Sequence, residues 1–428
     1  MGLIPIAVLF VLFILNVPVA FSLIVATTTY FLFINTALPV DMIFQRMIAS
    51  AESFPLLAVP FFITAGAVMN YAGISSRLMD MAESLSGHLK GGLAQVNIVL
   101  SALMGGVSGS ANADAAMQSK ILVPQMVKRG LGKPFSAAVT ATSAVISPII
   151  PPGIGLIIYA FIANVSVGRM FVAGYLPGIM MCLALMFVVR IIAGKRNYLP
   201  SREKRASGRQ ILKQVAVSSW ALFLPFGIIL GLRFGMFTPT EAGAMTVFYS
   251  VMVGFFVYRE LKIEHIPHII LESVLGTASV MLIICAASAF GYYMSWERIP
   301  HQMSAMLIST TENPYILLLI INFFLLFIGM FIEGTASLII LTPLLVPAVV
   351  ALGVDPIHFG IVMVLNLTIG GVTPPFGTLL FMTCSILEIR PSTMIREALP
   401  LILALIVVLF LVTFLPGLVL FLPRLIMG

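Results

Sequence analysis

From Phe135 to Ala163 the chain runs without a single charged side chain, and comparable apolar stretches recur from end to end. These runs limit the possible folds more than any other feature. A bilayer core about 30 Å thick takes roughly 20 apolar residues of helix, and inside it every backbone amide and carbonyl needs a partner. Composition agrees, with 60% hydrophobic residues and only 9% charged, where soluble domains carry about 25% charged. The expectation is an all-α polytopic inner-membrane protein. No polar segment is long enough for a large soluble domain. Residues 3–35 lack a basic leader region and a small-residue cleavage site, so they read as membrane helices of the mature chain. The net charge of +7 does not signal nucleic acid, because the basic residues lie in short loops. There they set orientation in the membrane.

Enzymatic chemistry is not visible. Cys182, Cys285 and Cys384 are scattered through apolar segments, and the five histidines show no metal-ligand spacing. Nor does any nucleophile–base pair or metal cluster stand out.

The most polar segment, GKRNYLPSREKRASGRQILK at 194–213, holds seven basic residues and one acid. It is expected in the cytoplasm, where it is also suited to anionic membrane lipid. It divides the chain into two parts that match in order. NVPVAF (16–21) resembles FTPTEA (237–242), and SGSA (108–111) resembles EGTA (333–336). GKP (132–134) lies opposite VDP (354–356), IPPGIG (150–155) opposite TPPFG (373–377), and LPG (176–178) opposite LPL (399–401). All five pairs keep nearly the same interval along the chain. Residues 1–194 and 215–428 therefore read as two structural repeats joined by the basic linker 195–214. Spans at 3–16, 18–36, 53–71, 135–163 and 168–193 make an odd number, so the second repeat is expected inverted. Both termini then lie in the periplasm. Inverted repeats favour alternating access, although a channel can also carry them.

Each repeat contains a small, polar turn and a broken apolar segment. In the first, GGVSGSANAD lies at the centre of 91–130; in the second, GMFIEGTAS lies at the centre of 314–351. Each reads either as a re-entrant hairpin with its tip at mid-depth or as two full spans joined at the surface. The broken segments are ISPIIPPGIG (146–155), within 135–163, and NLTIGGVTPPFG (366–377), within 357–385. Proline removes a backbone donor and clashes with the preceding turn. The freed carbonyls cost several kcal/mol each (order of magnitude) if left facing lipid. Either they pack as a kink, or they present oxygen to a cation between half-helix ends.

At these residues a family resemblance becomes specific. SGSANADAA (108–116), ATSAVISPIIPPGIGLIIYAF (141–161) and LNLTIGGVTPPFGTLLF (365–381) resemble the large membrane subunit of tripartite ATP-independent periplasmic (TRAP) transporters, the DctM family. SFPLLAVPFFITAGAVMN (53–70) and GMFTPTEAGA (235–244) fit it as well. The resemblance implies an elevator-type transporter with re-entrant hairpins. It implies sodium-coupled uptake of an organic acid delivered by a periplasmic binding protein, and pairing with a small four-helix membrane subunit. By carry-over, one sodium site draws on Gly106, Ser108, Ser110, Asn112, Ser143, Ser147 and Pro151. Its counterpart draws on Gly334, Thr335, Ser337, Asn366, Thr368, Gly370 and Thr373. Substrate is expected between the tips, near Ser110, Asp114, Pro152, Glu333, Thr335 and Pro374.

Three acids have competing readings. Asp114 is either functional, as a charge at mid-membrane, or stabilises the first turn of the returning helix. Glu333 either neutralises a cation or meets solvent. Glu241, in TPTE, either completes a capping box with Thr238 or has a functional role. No arginine sits at either tip to fix a carboxylate, and the resemblance leaves C4-dicarboxylates, sialic acid and other sugar acids all open as cargo. The rival readings are a sodium/dicarboxylate symporter working without a binding protein, and an ion channel. Residues 73–88 and 297–312 are expected as interfacial arm helices linking a scaffold to a moving unit.

Overall fold

The computed structural model describes residues 2–15, 17–36 and 39–428. Asn16, the first residue of the matched NVPVAF stretch, lies outside them. Among the described residues the chain forms twenty α-helices and no strand. The first ten are α1 (Ile4–Ile14), α2 (Val19–Thr29), α3 (Asp41–Ala51), α4 (Ala58–Tyr71), α5 (Ile74–Ser86), α6 (Leu93–Gly105), α7 (Ala111–Lys128), α8 (Lys133–Ala144), α9 (Ile154–Ile162) and α10 (Val167–Lys195). The second ten are α11 (Gly208–Arg233), α12 (Pro239–Met252), α13 (Ile266–Trp296), α14 (Ile299–Thr310), α15 (Pro314–Phe331), α16 (Gly334–Ala351), α17 (Pro356–Gly370), α18 (Thr378–Leu387), α19 (Pro391–Phe414) and α20 (Pro416–Met427).

Prolines and caps set many of the boundaries. α12, α15, α17, α19 and α20 each begin at a proline, whose missing N–H costs nothing in the first turn. Thr238 and Glu241 form a reciprocal capping box on α12, with the Thr238 amide donating to the Glu241 carboxylate at 2.7 Å. The Asp355 carboxylate accepts from the amides of Ile357 (2.8 Å) and His358 (3.3 Å) at the start of α17.

Among the described residues eight helices are long and apolar enough to cross a membrane. The first expected span is not one of them. α1 has eleven residues, about 16 Å of rise against a core of about 30 Å. Pro18 prevents it from running on into α2.

The two halves repeat one order of elements with local differences. α2 ends in a π turn at Tyr30–Ile34, and α12 ends in one at Val253–Val257. α3 and α4, separated by a short 3₁₀ turn carrying Pro55, stand where the second half has the unbroken 31-residue α13. α5 and α14 occupy the two stretches read as arms.

Two sets of helix contacts bear on the site. α2, α3 and α4 pack on α13, and α4 packs on α12. The hairpin and broken-segment helices interlock across the halves. α9 packs on α16 and α17, and α18 packs on α7 and α8. α10 and α19 pack on each other, and each also packs on the other half's broken segment.

Polar loops gather at one end. The Ser201 amide donates to Gly87 O (2.9 Å), the Gly91 amide to Tyr198 O (3.4 Å) and the Gly132 amide to Tyr198 Oη (3.3 Å). These bonds tie the basic linker to the α5–α6 and α7–α8 loops, which carry Lys90, Lys128, Arg129 and Lys133. Elsewhere, Arg169 donates to the backbone carbonyl of the C-terminal Gly428 at 2.7 Å. Tyr293 hydrogen-bonds the Gly2 carbonyl near the other terminus.

Candidate functional site

Both turns and both breaks converge on one cleft. α6 and α7 are joined by Gly106–Ser110, and α15 and α16 by Ile332–Glu333. Ser110 caps α7 by accepting from the Ala113 amide at 3.4 Å. Glu333 caps α16, with its carboxylate accepting from the Ala336 amide (3.0 Å) and the Thr335 hydroxyl (2.9 Å). A cavity of about 360 Å³ lies between these tips. Gly109, Ser110 and Asn112 line it from one side and Glu333, Gly334 and Thr335 from the other. Pro148, Thr368, Gly371 and Thr378 bring the two breaks to its wall, and Ser279, Val280 and Ile283 of α13 close it. Among the described residues no Lys, Arg or His lines it, and Glu333 is its only charged residue.

Between α8 and α9 the backbone is non-helical from Val145 to Gly153. Among the described residues no amide donates to the carbonyls of Pro148, Ile149, Ile150, Pro151 or Pro152. The second break, between Gly371 and Gly377, leaves the carbonyls of Pro374, Pro375 and Phe376 equally without amide donors. The Pro151–Pro152 and Pro374–Pro375 peptides are both cis. The first pair is buried; Pro374 is half-buried and Pro375 exposed.

Behind the first tip runs a chain of buried polar side chains. Asn97 Nδ2 donates to Thr140 Oγ1 (2.8 Å), Ser143 Oγ to Asn97 Oδ1 (2.8 Å) and Ser101 Oγ to Ser143 Oγ (3.0 Å). Gln118 Nε2 donates to Ser101 Oγ (2.8 Å) and to Asp114 Oδ1 (2.6 Å), and Ser147 Oγ donates to Asp114 Oδ2 (2.8 Å). Asp114 is 1% exposed, and no cationic side chain pairs with it among the described residues. The second half repeats part of this arrangement. Asn366 Nδ2 donates to Asn322 Oδ1 (2.6 Å), and Asn322 Nδ2 to Thr413 Oγ1 (3.0 Å). Asn366 Oδ1 and Ser337 Oγ are buried there without any hydrogen-bond partner. Asn322 follows Asn97 by the interval that separates Glu333 from Ser108, and Asn366 follows Ser143 by the interval that separates Thr373 from Ile150. The matching intervals of the two halves thus extend to individual side chains. The position equivalent to Asp114, at the Ser108-to-Glu333 interval, is Ile339, so only the first half holds a buried acid there.

The residues singled out in the sequence divide by position. Ser110, Asn112, Gly334, Thr335, Thr368 and Glu333 line the cavity. Ser143, Ser147, Asp114 and Pro151 lie buried behind the first tip, and Ser337 and Asn366 behind the second. Pro152 O faces Gly109. Gly106 faces Pro225 of α11 rather than the break, and Ser108 bonds Met104 O at 3.4 Å. Thr373 bonds Ile369 O at 2.7 Å, and Gly370 packs against the backbone of Gly329. Sequence reasoning missed Asn97, Ser101, Gln118, Asn322 and Thr413. Gln118 lies four residues after Asp114, on the same helix face. The asparagines keep the repeat interval, which is the signal that could have found them. Among the described residues no group of three or more His, Cys, Asp or Glu side chains is placed to hold a transition metal.

A sequence model described as "Tripartite ATP-independent periplasmic transporter, DctM component" matches residues 6–418. The "Sialic acid TRAP transporter large permease protein SiaM" of Vibrio cholerae is 39% identical over 413 residues, covering 96% of both chains. The "C4-dicarboxylate TRAP transporter large permease protein DctM" of Pseudomonas aeruginosa is 37% identical over 379 residues, covering 89% of this chain and 88% of that one. The crystal structure of the Alcanivorax borkumensis YdaH transporter superposes with a TM-score of 0.66 over 96% of this chain and 98% of that chain. At 13% identity it is a likeness of fold alone. With a matching family model over nearly its whole length and such relatives end to end, the chain belongs to the DctM family of multi-pass TRAP transporter large permeases and is a transport protein, not an enzyme.

Proposed function

We propose that this chain carries an organic acid across the bacterial inner membrane in symport with sodium. A periplasmic binding protein delivers the substrate, and a small four-helix membrane subunit assembles with the chain. The observation that carries the reading is the convergence of two polar tips and the edges of two proline breaks on one cavity lined by no cationic side chain among the described residues, with carbonyls in each break that accept from no amide. Carbonyls and hydroxyls are hard donors suited to a small hard cation. In the first half the break carbonyls and Asp114 offer such a place. In the second half the unpartnered oxygens Asn366 Oδ1 and Ser337 Oγ do. Relatives named for sialic acid and for C4-dicarboxylates support an acid as cargo.

The tips differ in charge, and this orients the substrate. Glu333 places a carboxylate on the N-terminus of α16 at the cavity wall, whereas the neutral Ser110 caps α7 and the acid of that first turn, Asp114, is held behind the tip by Gln118 and Ser147, off the cavity lining. A substrate carboxylate therefore sits at α7, where the helix dipole favours an anion by about 0.3–1 kcal/mol. The hydroxylated end turns toward Glu333 and Thr335.

Both tips line one cavity, which supports re-entrant hairpins whose tips meet at mid-depth. The helices around α13 serve as scaffold, and the interlocked hairpins and breaks serve as the moving body. The basic end faces the cytoplasm and the termini the periplasm.

The test is uptake of radiolabelled sialic acid or succinate into proteoliposomes holding this chain and its small subunit. Accumulation is expected only with an inward sodium gradient and the loaded binding protein. Full uptake with potassium replacing sodium would sink the coupling, and uptake without the binding protein would point to a free-standing symporter. Asn366→Ala is expected to raise the sodium concentration for half-maximal uptake about fivefold to tenfold, the loss of roughly one buried polar ligand.

A further inference from the structure

Phe187, Arg190, Ile191, Gly194 and Lys195 fall at i, i+3, i+4, i+7 and i+8 along the last turns of α10, on one helix face. With Lys90 from the α5–α6 loop they line a cleft of about 380 Å³. Three cations meet there, and no acid lines the cleft. Among the described residues the side chains of Lys90, Arg190 and Lys195 make no ion pair or hydrogen bond. Their neighbours at the same end are engaged, Arg196 with Glu397 at 2.9 Å and Arg129 with the Ser201 carbonyl at 2.9 Å. The rest of the cleft is apolar and open. Phe187 is 66% exposed and Ile191 44%, and the space beside Gly194 is empty. Arg190 sits five residues inside Lys195, about 7.5 Å deeper along the axis. Both cations are exposed on this face, with long stems that let their charges reach the level of lipid headgroups.

We propose that this cleft is a binding site for one anionic phospholipid. Lys90, Arg190 and Lys195 hold its phosphodiester, and its acyl chains lie along Phe187 and Ile191. A free phosphate ion shares the charge but lacks the chains. A zwitterionic lipid shares the chains but lacks the net charge. Each cation near an anionic headgroup is worth about fivefold in affinity.

The experiment uses the full chain, purified in detergent and washed free of loosely held lipid. Retained phosphatidylglycerol is counted by native mass spectrometry, and the melting temperature is recorded with added phosphatidylglycerol, phosphatidylcholine of the same chains, or sodium phosphate. The wild type is expected to retain one tightly held phosphatidylglycerol and to melt several degrees higher with that lipid alone. Arg190→Gln is expected to weaken retention about fivefold, and the double variant Arg190→Gln/Lys195→Gln about 25-fold. Lys204→Gln, on the exposed linker outside the cleft, should leave retention unchanged. Equal stabilisation by phosphatidylcholine or by phosphate would overturn the assignment. So would unaltered retention in the double variant, or an equal loss in Lys204→Gln. If the double variant melts abnormally low without lipid, the single Arg190→Gln titration decides on the same terms.

Discussion

Replacing Asp114 by Asn is expected to raise the sodium concentration for half-maximal uptake tenfold to a hundredfold, on the order of 1.5–3 kcal/mol for a lost charged ligand. The reason is the state of the carboxylate. It is 1% exposed, held by Gln118 at 2.6 Å and Ser147 at 2.8 Å, and has no cationic side chain as partner. Two hydrogen bonds position a buried charge but do not neutralise it. Either a proton or a cation must, and the proposed sodium scheme gives that part to the cation, with Ser147 tying the carboxylate to the adjacent break. Ser147→Ala is expected to act in the same direction with a smaller effect, because the carboxylate stays. The measurement is initial uptake rate against sodium at fixed substrate. An unchanged half-saturation with a full maximal rate in Asp114→Asn would remove this residue from the sodium site.

Gly109→Ala is expected to reduce uptake at least about a hundredfold while the protein still folds. Gly109 has φ +56°, a conformation costing a residue with a side chain about 1 kcal/mol. Strain is the smaller part. A Cβ at this position would overlap the Pro152 carbonyl oxygen and come within 3.1 Å of Gly153 Cα. Both are backbone atoms that no rotamer change can move, so the tip must lift off the break, which would open the first of the proposed cation sites. Gly130→Ala separates the two effects, since Gly130 has φ +85° with nothing within 4 Å of an added Cβ. It carries the strain without the collision, and near-normal uptake is expected. Equal losses in both variants would mean that backbone conformation, rather than seating of the tip, limits transport. Melting temperatures within a few degrees of wild type show that the loss is not one of folding.

Apolar length, proline and glycine are strong enough signals to place the helices and their interruptions. The turn at 106–110 and the two proline breaks are where the sequence becomes polar or loses its amide donors. Less regular features are not legible. α3 escapes notice as an element, because a short segment of mixed polarity does not distinguish a helix from a loop. α1 reads as a span, because apolar residues continue on both sides of the turn that ends it. Side-chain direction is the hardest to read. Asn97, Ser101 and Gln118 are isolated polar residues in apolar helices, and a sequence shows them alike whether they face lipid, solvent or one another. Only packing α6 against α7 and α8 lines them up with Asp114. Gly106 and Ser108, although they lie within the first turn, are turned to other neighbours.

The exchange of partners between the halves, α9 on α16 and α18 on α7, has a consequence for leak. Each tip is braced by a helix that begins at the opposite break. Under the sodium-coupled scheme proposed above, a chain loaded at one ion position still has a slack strut under the other, and so lacks the rigidity to travel. Rate should therefore climb more steeply than hyperbolically with sodium, and empty or half-filled carriers should stay put rather than dissipate the gradient.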